Sequence, residues 1–497
     1  MSRRRHRRAV ALLAAAGPVA LATAFFACGP ERDDGQPRYF FPPDANEEDA
    51  LPQPDAPARD GTVDTGTDSG LDADADADAA LPPLVRALAT GSSDGIDPLV
   101  GYGDHTCTIA GPTRSLYCWG ANDRGQIGNG KTGAGTTAED VAAATKIAVD
   151  ETGLAFEGIE EVSASGFHSC ARRGADLFCW GQRFSGAQAE PPFANPDRVA
   201  PRAIGNLDVK RIAAGGPHSC VLKSTGTITC FGHSSFSELG RPYAMDPTCA
   251  APFFYDYVGN ANHQCSGTLV DVMFGTLLGT ATVAAGETHS CALAAGKVHC
   301  WGASADGELG RPNVGPSELN AQTVVTNPTA LTALEGVTAI ATDGARHTCA
   351  VRNAGLVVGE VVCWGVNDVG QIGAATATVP KRDHAVAVPG LANVTAIGVG
   401  PRVSCAVKAD TSVACWGNDL AEAGDGGAAS SPTPIAIKGP LGVGVLNNVV
   451  SVSPGLRHAC ARKKDDTVWC WGKNDRGQLG DGTKVDSAYP VKVVGLP

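Results

Sequence analysis

The sequence is poor in basic side chains. Its 497 residues hold 39 Lys and Arg against 52 Asp and Glu, a net charge of −13. No basic run follows the first eight residues, which argues against nucleic acid as a partner, because a polyanion needs a basic patch or stripe. No phosphate-cradling glycine loop, no Ser-His-Asp order and no paired-carboxylate signature stands out. The expectation is therefore no catalytic residues, no cofactor and no enzyme. The one long apolar stretch, Ala9 to Ala27, is interrupted by Pro18 and too short for a membrane span. Aromatic residues are scarce, with only 21 Phe plus Tyr in the whole chain.

What the sequence does have is glycine, cysteine and repetition. One stretch occurs seven times, most cleanly at Ser451 to Gly482. Its parts are a short β-type run, a Gly, a His-x-Cys, a polar turn, a Cys-Trp-Gly and an Asn-Asp-x-Gly-Gln-Leu-Gly. The cysteines count the copies: Cys107 with Cys118, Cys170 with Cys179, Cys220 with Cys230, Cys291 with Cys300, Cys349 with Cys363, Cys405 with Cys415 and Cys460 with Cys470. Six copies carry the His, at 105, 168, 218, 289, 347 and 458, and the sixth copy has Val403 instead. Trp-Gly follows the second Cys in six copies, and the third has Phe231-Gly232. Successive second cysteines are 51 to 70 residues apart. That period suits a propeller blade of four short strands with variable loops, so the chain reads as all-β.

The chain divides into three parts. Residues 1–27 open with five arginines and continue into the apolar run, as a secretory signal peptide does. Cys28 then stands where bacterial lipoproteins carry their lipid, although Phe25-Phe26-Ala27 is an imperfect lipobox. The other reading is an ordinary signal peptide with an incidental Cys. Residues 28–83 are a Pro-, Asp- and Ala-rich linker, expected to be a disordered, self-repelling tether. Its alternating Asp72, Asp74, Asp76 and Asp78 lack the Gly turn and closing Glu of a calcium loop. Setting aside the five signal arginines and the linker's net −12 leaves about −6 for residues 84–497, the repeat body.

The body resembles the regulator of chromosome condensation repeat family. The resemblance rests on the Gly-x-x-His-Ser/Thr entry, the Trp-Gly and the Asn-x-x-Gly-Gln-Leu-Gly ending, and it covers all seven copies. It is fullest in the first, fifth and seventh; the second (Gln182 to Gln188) and third (His233 to Gly240) have decayed endings. It implies a seven-bladed β-propeller. It does not fix a function, since members include a nucleotide exchange factor, a light sensor and a β-lactamase inhibitor.

Paired cysteines depart from the intracellular members of that family. Each pair is placed on adjacent antiparallel strands, close enough for a disulfide, and a secretory signal supplies the oxidising compartment. The count closes with Cys249 bonded to Cys265 and Cys28 reserved for lipid. The rival is metal binding, since His and Cys at i and i+2 share a strand face; seven identical sites with one His each would be odd, and no metal is expected. The repeated His reads as a structural hydrogen-bonding group and the repeated Trp as blade packing.

The part that does not repeat lies between Cys230 and Cys291. Phe253, Phe254, Tyr255 and Tyr257, followed by His263, sit in a loop flanked by Cys249 and Cys265. Such a loop is either a recognition element or a cover for its own blade. The function expected is a non-catalytic protein-binding or scaffold propeller, tethered as a lipoprotein at the bacterial outer membrane or cell surface, with a protein or other envelope component as partner. Two alternatives stand beside it. One is a lyase or hydrolase on a propeller face. The other is a guanine-nucleotide exchange factor-like regulator, disfavoured because secretion removes the chain from cytosolic GTPases. A final expectation concerns ring closure: the terminal run Val491 to Val494 is expected to pair as a strand into the first blade.

Overall fold

A computed structural model describes residues 88–91, 104–133, 136–166, 168–182, 197–241, 265–274, 277–342, 344–375, 379–418 and 430–497. The chain divides into two units, Met1–Ala75 and Asp76–Pro497, and every described residue belongs to the second. The expected signal peptide, Cys28 and the expected linker lie outside the described residues.

Seven four-stranded antiparallel sheets follow one another, one per repeat, and form a seven-bladed β-propeller. In the seventh blade the strands are Val449–Pro454, His458–Lys463, Val468–Gly472 and Ser487–Lys492, from the axis outward. The first blade has Leu88–Gly91, His105–Ala110, Ser115–Gly120 and Val141–Lys146. Inner strands touch those of neighbouring blades, and Leu88–Gly91 meets Val449–Pro454 across the ring closure.

The register explains the repeated cysteines. Cys460 lies directly opposite Cys470, and His458 opposite Gly472; the first blade repeats both pairings. Seven such pairs are disulfide-bonded, with Cα atoms 4.0–4.2 Å apart. Cys249 and the side chain of Cys265 lie outside the described residues.

The register also explains Cys-Trp-Gly. Cys470 pairs with Val491 but Gly472 with Ser487, so four residues of the outer strand span two of the third. The ladder breaks opposite the Trp and the outer strand bends away. The following Gly then sits at positive φ, +112° at Gly472 and +117° at Gly417. At Gly417 a Cβ would stand 2.3 Å from the Arg402 carbonyl oxygen, so only Gly fits.

The core is divided among the blade interfaces. Each of seven clusters joins neighbouring blades and contains at least one fully buried Trp or Phe. Trp180 packs with the first blade's Cys107, Ile109 and Ile127. Phe231 does the same between the second and third blades, and Trp119 closes the ring against Leu479 and Val493 of the seventh.

Ring closure differs from the expectation. Ser487–Lys492 is the outer strand of the seventh blade, not a strand of the first. The Pro-x-x-Val-x-Gly-Leu run ends the blade it follows; it does not open the next. Leu88–Gly91 gives the first blade its own inner strand. The termini meet instead through side chains and loop backbone. Ala144 N–H donates to the Val494 carbonyl at 3.0 Å, and Gly482 N–H to the Ala142 carbonyl at 2.8 Å. The Trp119 indole N–H donates to the Gln478 carbonyl at 2.9 Å. Arg476 pairs with buried Asp140 and, at 3.1 Å, with Asp123.

Candidate binding face

Antiparallel strands put the Gly-x-x-His turns and the Asn-Asp-x-Gly loops on one face of the ring. The second-to-third hairpins and the blade-to-blade connectors lie on the other. On the first face the turn is tight: Gly286 N–H donates to the His289 carbonyl at 2.8 Å. A Cβ on Gly286 would stand 2.5 Å from the His289 ring.

The six histidines form a chain of contacts running round the ring. Each Nε2 lies 2.8 Å from a Ser or Thr hydroxyl in the next blade: His105 to Ser169, His168 to Ser219, His218 to Ser290, His289 to Thr348, His347 to Ser404, and His458 to Thr106 across the closure. The hydroxyl sits one residue after the position of the repeat His. Ser169, Ser290 and Ser404 donate to the Gln126, Glu238 and Gln371 carbonyls, so those hydroxyls must accept from an Nε2–H. His105, His218 and His347 therefore donate through Nε2. Burial pushes His105, His218, His289 and His347 down to about 3, and His168 to about 4. Where Val403 replaces the His, Ala459 replaces the receiving hydroxyl, so neither group is left buried and unpaired.

Four of the six repeat tryptophans are tied to the neighbouring blade in the same way, Trp119 among them. Trp180, Trp301 and Trp364 donate to the Gln126, Glu238 and Glu308 carbonyls of the preceding blade at 2.8–3.0 Å. All six repeat tryptophans are fully buried and offer no surface platform. Among the described residues no group of three His, Cys, Asp or Glu side chains could hold a metal ion.

What varies between blades is at the surface. Arg346, Arg402 and Arg457 stand immediately before the His position in three successive blades, each partly exposed. Arg457 pairs with Asp104 at 3.0 Å and Asp475 at 3.4 Å. Arg402 pairs with Asp368 at 3.6 Å, and Arg346 with Asp306 and, at 3.7 Å, Glu308. Burial works against ionisation of Asp104, but His458, whose Nδ1 lies 3.7 Å away, and the Arg457 charge outweigh it and hold its carboxyl below the usual range. This arc was missed by sequence reasoning, although its signal, an Arg before the last three His positions, was there. A cleft of 540 Å³ at the rim, lined by Lys131, Glu139, Asp140, Thr145, Lys146 and Val149, adds a mixed polar surface.

The opposite face carries nearly all the exposed large apolar side chains, among them Leu278, Leu331, Leu441 and the hairpin residues Leu356, Val357 and Val358. The aromatic loop residues Phe253, Phe254, Tyr255, Tyr257 and His263 lie outside the described residues.

Comparisons with known proteins follow the repeat. Two profiles described as the regulator of chromosome condensation (RCC1) repeat match residues 209–238 and 449–478, and residues 465–497. The chain is 24% identical over 384 residues to the ultraviolet-B receptor UVR8 of Arabidopsis thaliana, covering 76% of this chain and 77% of that protein. It is 26% identical over 407 residues to the secretion-regulating guanine nucleotide exchange factor of Mus musculus, covering 77% and 79%. Against the mouse E3 ubiquitin-protein ligase HERC2 it is 26% identical over 401 residues, 78% of this chain but only 7% of that protein's length. Among solved structures, yeast RCC1 (Prp20) bound to Kap60 superposes with a TM-score of 0.60 at 18% identity, covering 81% of this chain and 87% of that one. Human WBSCR16 gives 0.58 at 20% identity, covering 76% and 94%. With seven blades in the fold and the repeat models matched at residues 209–238 and 449–497, the chain is a seven-bladed β-propeller that carries RCC1 repeats and is similar to RCC1-type proteins.

Proposed function

We propose that this propeller is a protein-binding scaffold tethered at the bacterial cell envelope, with residues 84–497 as the binding body, residues 28–83 as its tether and Cys28 as its lipid anchor. One observation carries the binding reading. The repeated His side chains are hydrogen-bonded to the next blade and the repeated Trp residues are buried between blades, so what differs between blades is loop surface, where binding residues concentrate. Relatives support a protein as partner: yeast RCC1 has been solved bound to Kap60, and a second yeast structure is titled for binding to Gsp1p and histones. Seven buried disulfides support an oxidising compartment. That compartment also speaks against the exchange-factor activity that the mouse relative's name carries.

The test is capture from an envelope extract with the mature body, repeated with Arg346, Arg402 and Arg457 changed to Glu, and with Leu356 and Val358 changed to Asp. A partner protein lost with one set and kept with the other assigns the face. A body that captures nothing above a disulfide-bonded control protein sinks the scaffold reading. Separately, Cys28→Ala should move the full-length protein from the membrane to the soluble fraction; unchanged fractionation rejects the lipid anchor.

A further inference from the structure

The third blade breaks the repeat in its Asn-Asp-x-Gly-Gln loop, and the break is chemically specific. In the seventh blade, Gln478 accepts from Arg476 N–H through Oε1 at 2.8 Å and donates through Nε2 to Asp475 at 3.0 Å. The first and fifth blades do the same with Gln126 and Asp123, and with Gln371 and Asp368. In the third blade Glu238 replaces the Gln, Ser235 replaces the Asp, and His233 stands directly after the Phe-Gly. Glu238 keeps one half of the arrangement, with Oε2 accepting from Phe236 N–H at 2.8 Å. Its other oxygen can only accept, and it takes His233 Nδ1 at 3.3 Å. His233 Nε2 in turn lies 2.9 Å from the Ser235 hydroxyl.

The direction of the proton separates this site from the ring histidines. There the hydroxyl gives its proton to a carbonyl, so the imidazole is the donor. Here an acceptor-only carboxylate fixes the proton on Nδ1, leaving the Nε2 lone pair to accept from the Ser235 hydroxyl. That is the tautomer of a general base beside a nucleophile. Glu238 is fully buried, whereas His233 and Ser235 are partly exposed and open to a reactant. Ser237 adds an independent mark. It holds φ +70° where the matching loops use Gly125 at +75° and Gly477 at +77°. A non-glycine residue in that region stores backbone strain of the kind that collects at functional sites. The fourth blade is an internal contrast: Glu308 occupies the same place, but Ala303 and Ala305 stand where the third blade has His and Ser.

We propose that Ser235, His233 and Glu238 form an acyl-transfer site for a small ester presented at this face, with Ser235 as nucleophile, His233 as general base and Glu238 as the residue positioning His233. Ser235 Oγ attacks the acyl carbon and its proton passes to His233 Nε2. The ester C–O bond breaks, and His233 returns the proton to the departing alkoxide as it leaves as an alcohol. Water, deprotonated by the same imidazole, then attacks the acyl-serine; the acid departs and Ser235 regains its proton.

The experiment uses the oxidised full-length protein, a fluorophosphonate probe and peptide mass spectrometry, with p-nitrophenyl acetate hydrolysis alongside. The expected result is an adduct on Ser235 that is absent in Ser235→Ala. His233→Asn should lower labelling and hydrolysis by ~10²-fold or more, the usual scale of a positioned base. Glu238→Gln keeps the contact to Phe236 N–H but removes the carboxylate. It should lower kcat while leaving KM and the thermal unfolding curve unchanged, a split that a purely structural role would not produce. Ser235 left unlabelled in protein with a native circular dichroism spectrum overturns the proposal. So does labelling that is equal in wild type and His233→Asn.

Discussion

Acidification should weaken this ring far above the pH at which carboxylates protonate. Five imidazoles, His105, His168, His218, His289 and His347, are held by burial at about 3 to about 4, whereas an unfolded His titrates near 6.5. Between those values the unfolded chain binds protons that the folded one refuses, so stability rises with pH across the window and falls as pH drops through it. Lowering the pH from 7 to 5 costs roughly 1.9 kcal/mol per histidine by that linkage, and about 9 kcal/mol for five. Two carboxyls, the half-buried Glu161 and the buried Glu308, are raised by desolvation and offset part of this by taking up protons in the folded state. With an unfolding entropy of roughly 2 cal/mol/K per residue over about 400 residues, the fall in Tm is on the order of 10 °C. The assay is thermal unfolding by circular dichroism at pH 7, 6 and 5, at constant ionic strength and with disulfides intact. His218→Gln removes one titrating ring and should reduce the pH dependence by about one fifth. A Tm that is flat between pH 7 and 5 would refute the buried, neutral relay.

Three further outcomes follow from the same interfaces. Val403→His combined with Ala459→Ser should rebuild the missing seventh relay. Each single change buries an unpaired polar group at a cost of ~1–3 kcal/mol, and the double mutant should recover most of it; strictly additive losses in a denaturant double-mutant cycle would contradict the pairing. Trp364→Ala should cost ~3–5 kcal/mol in chemical unfolding, because the ring is fully buried between the fourth and fifth blades. Thiol titration of the denatured, unreduced protein should find the fourteen blade cysteines unreactive; several reactive thiols per chain would reject the bridged blades.

Local chemistry was legible in the sequence, and pairing across a blade offset was not. The cysteine spacing showed its partners because each pair closes within one hairpin, with only 9 to 14 residues between the positions. The histidine relay joins residues 51 to 72 apart within the chain, and 352 apart across the closure. A search inside one repeat therefore cannot find the hydroxyl that each His meets. The linked loss at Val403 and Ala459 was the readable trace, but it appears only when each repeat is compared with the one after it. The terminal strand was misassigned for a related reason: Ser487–Lys492 looks the same whether it closes its own blade or opens the next, and only the register of Cys470 with Val491 decides.

The third blade shows the converse. Its loop read as decay because four residues, Ser234, Ser235, Ser237 and Glu238, departed from the repeat at once. Random loss of an Asn-Asp-x-Gly-Gln loop would leave buried polar atoms unpaired, each at a cost. Instead Glu238, His233 and Ser235 pair with one another in sequence. In a ring whose other polar groups hold neighbouring blades together, a departure that remains hydrogen-bonded and partly exposed is where chemistry distinct from folding has room to occur.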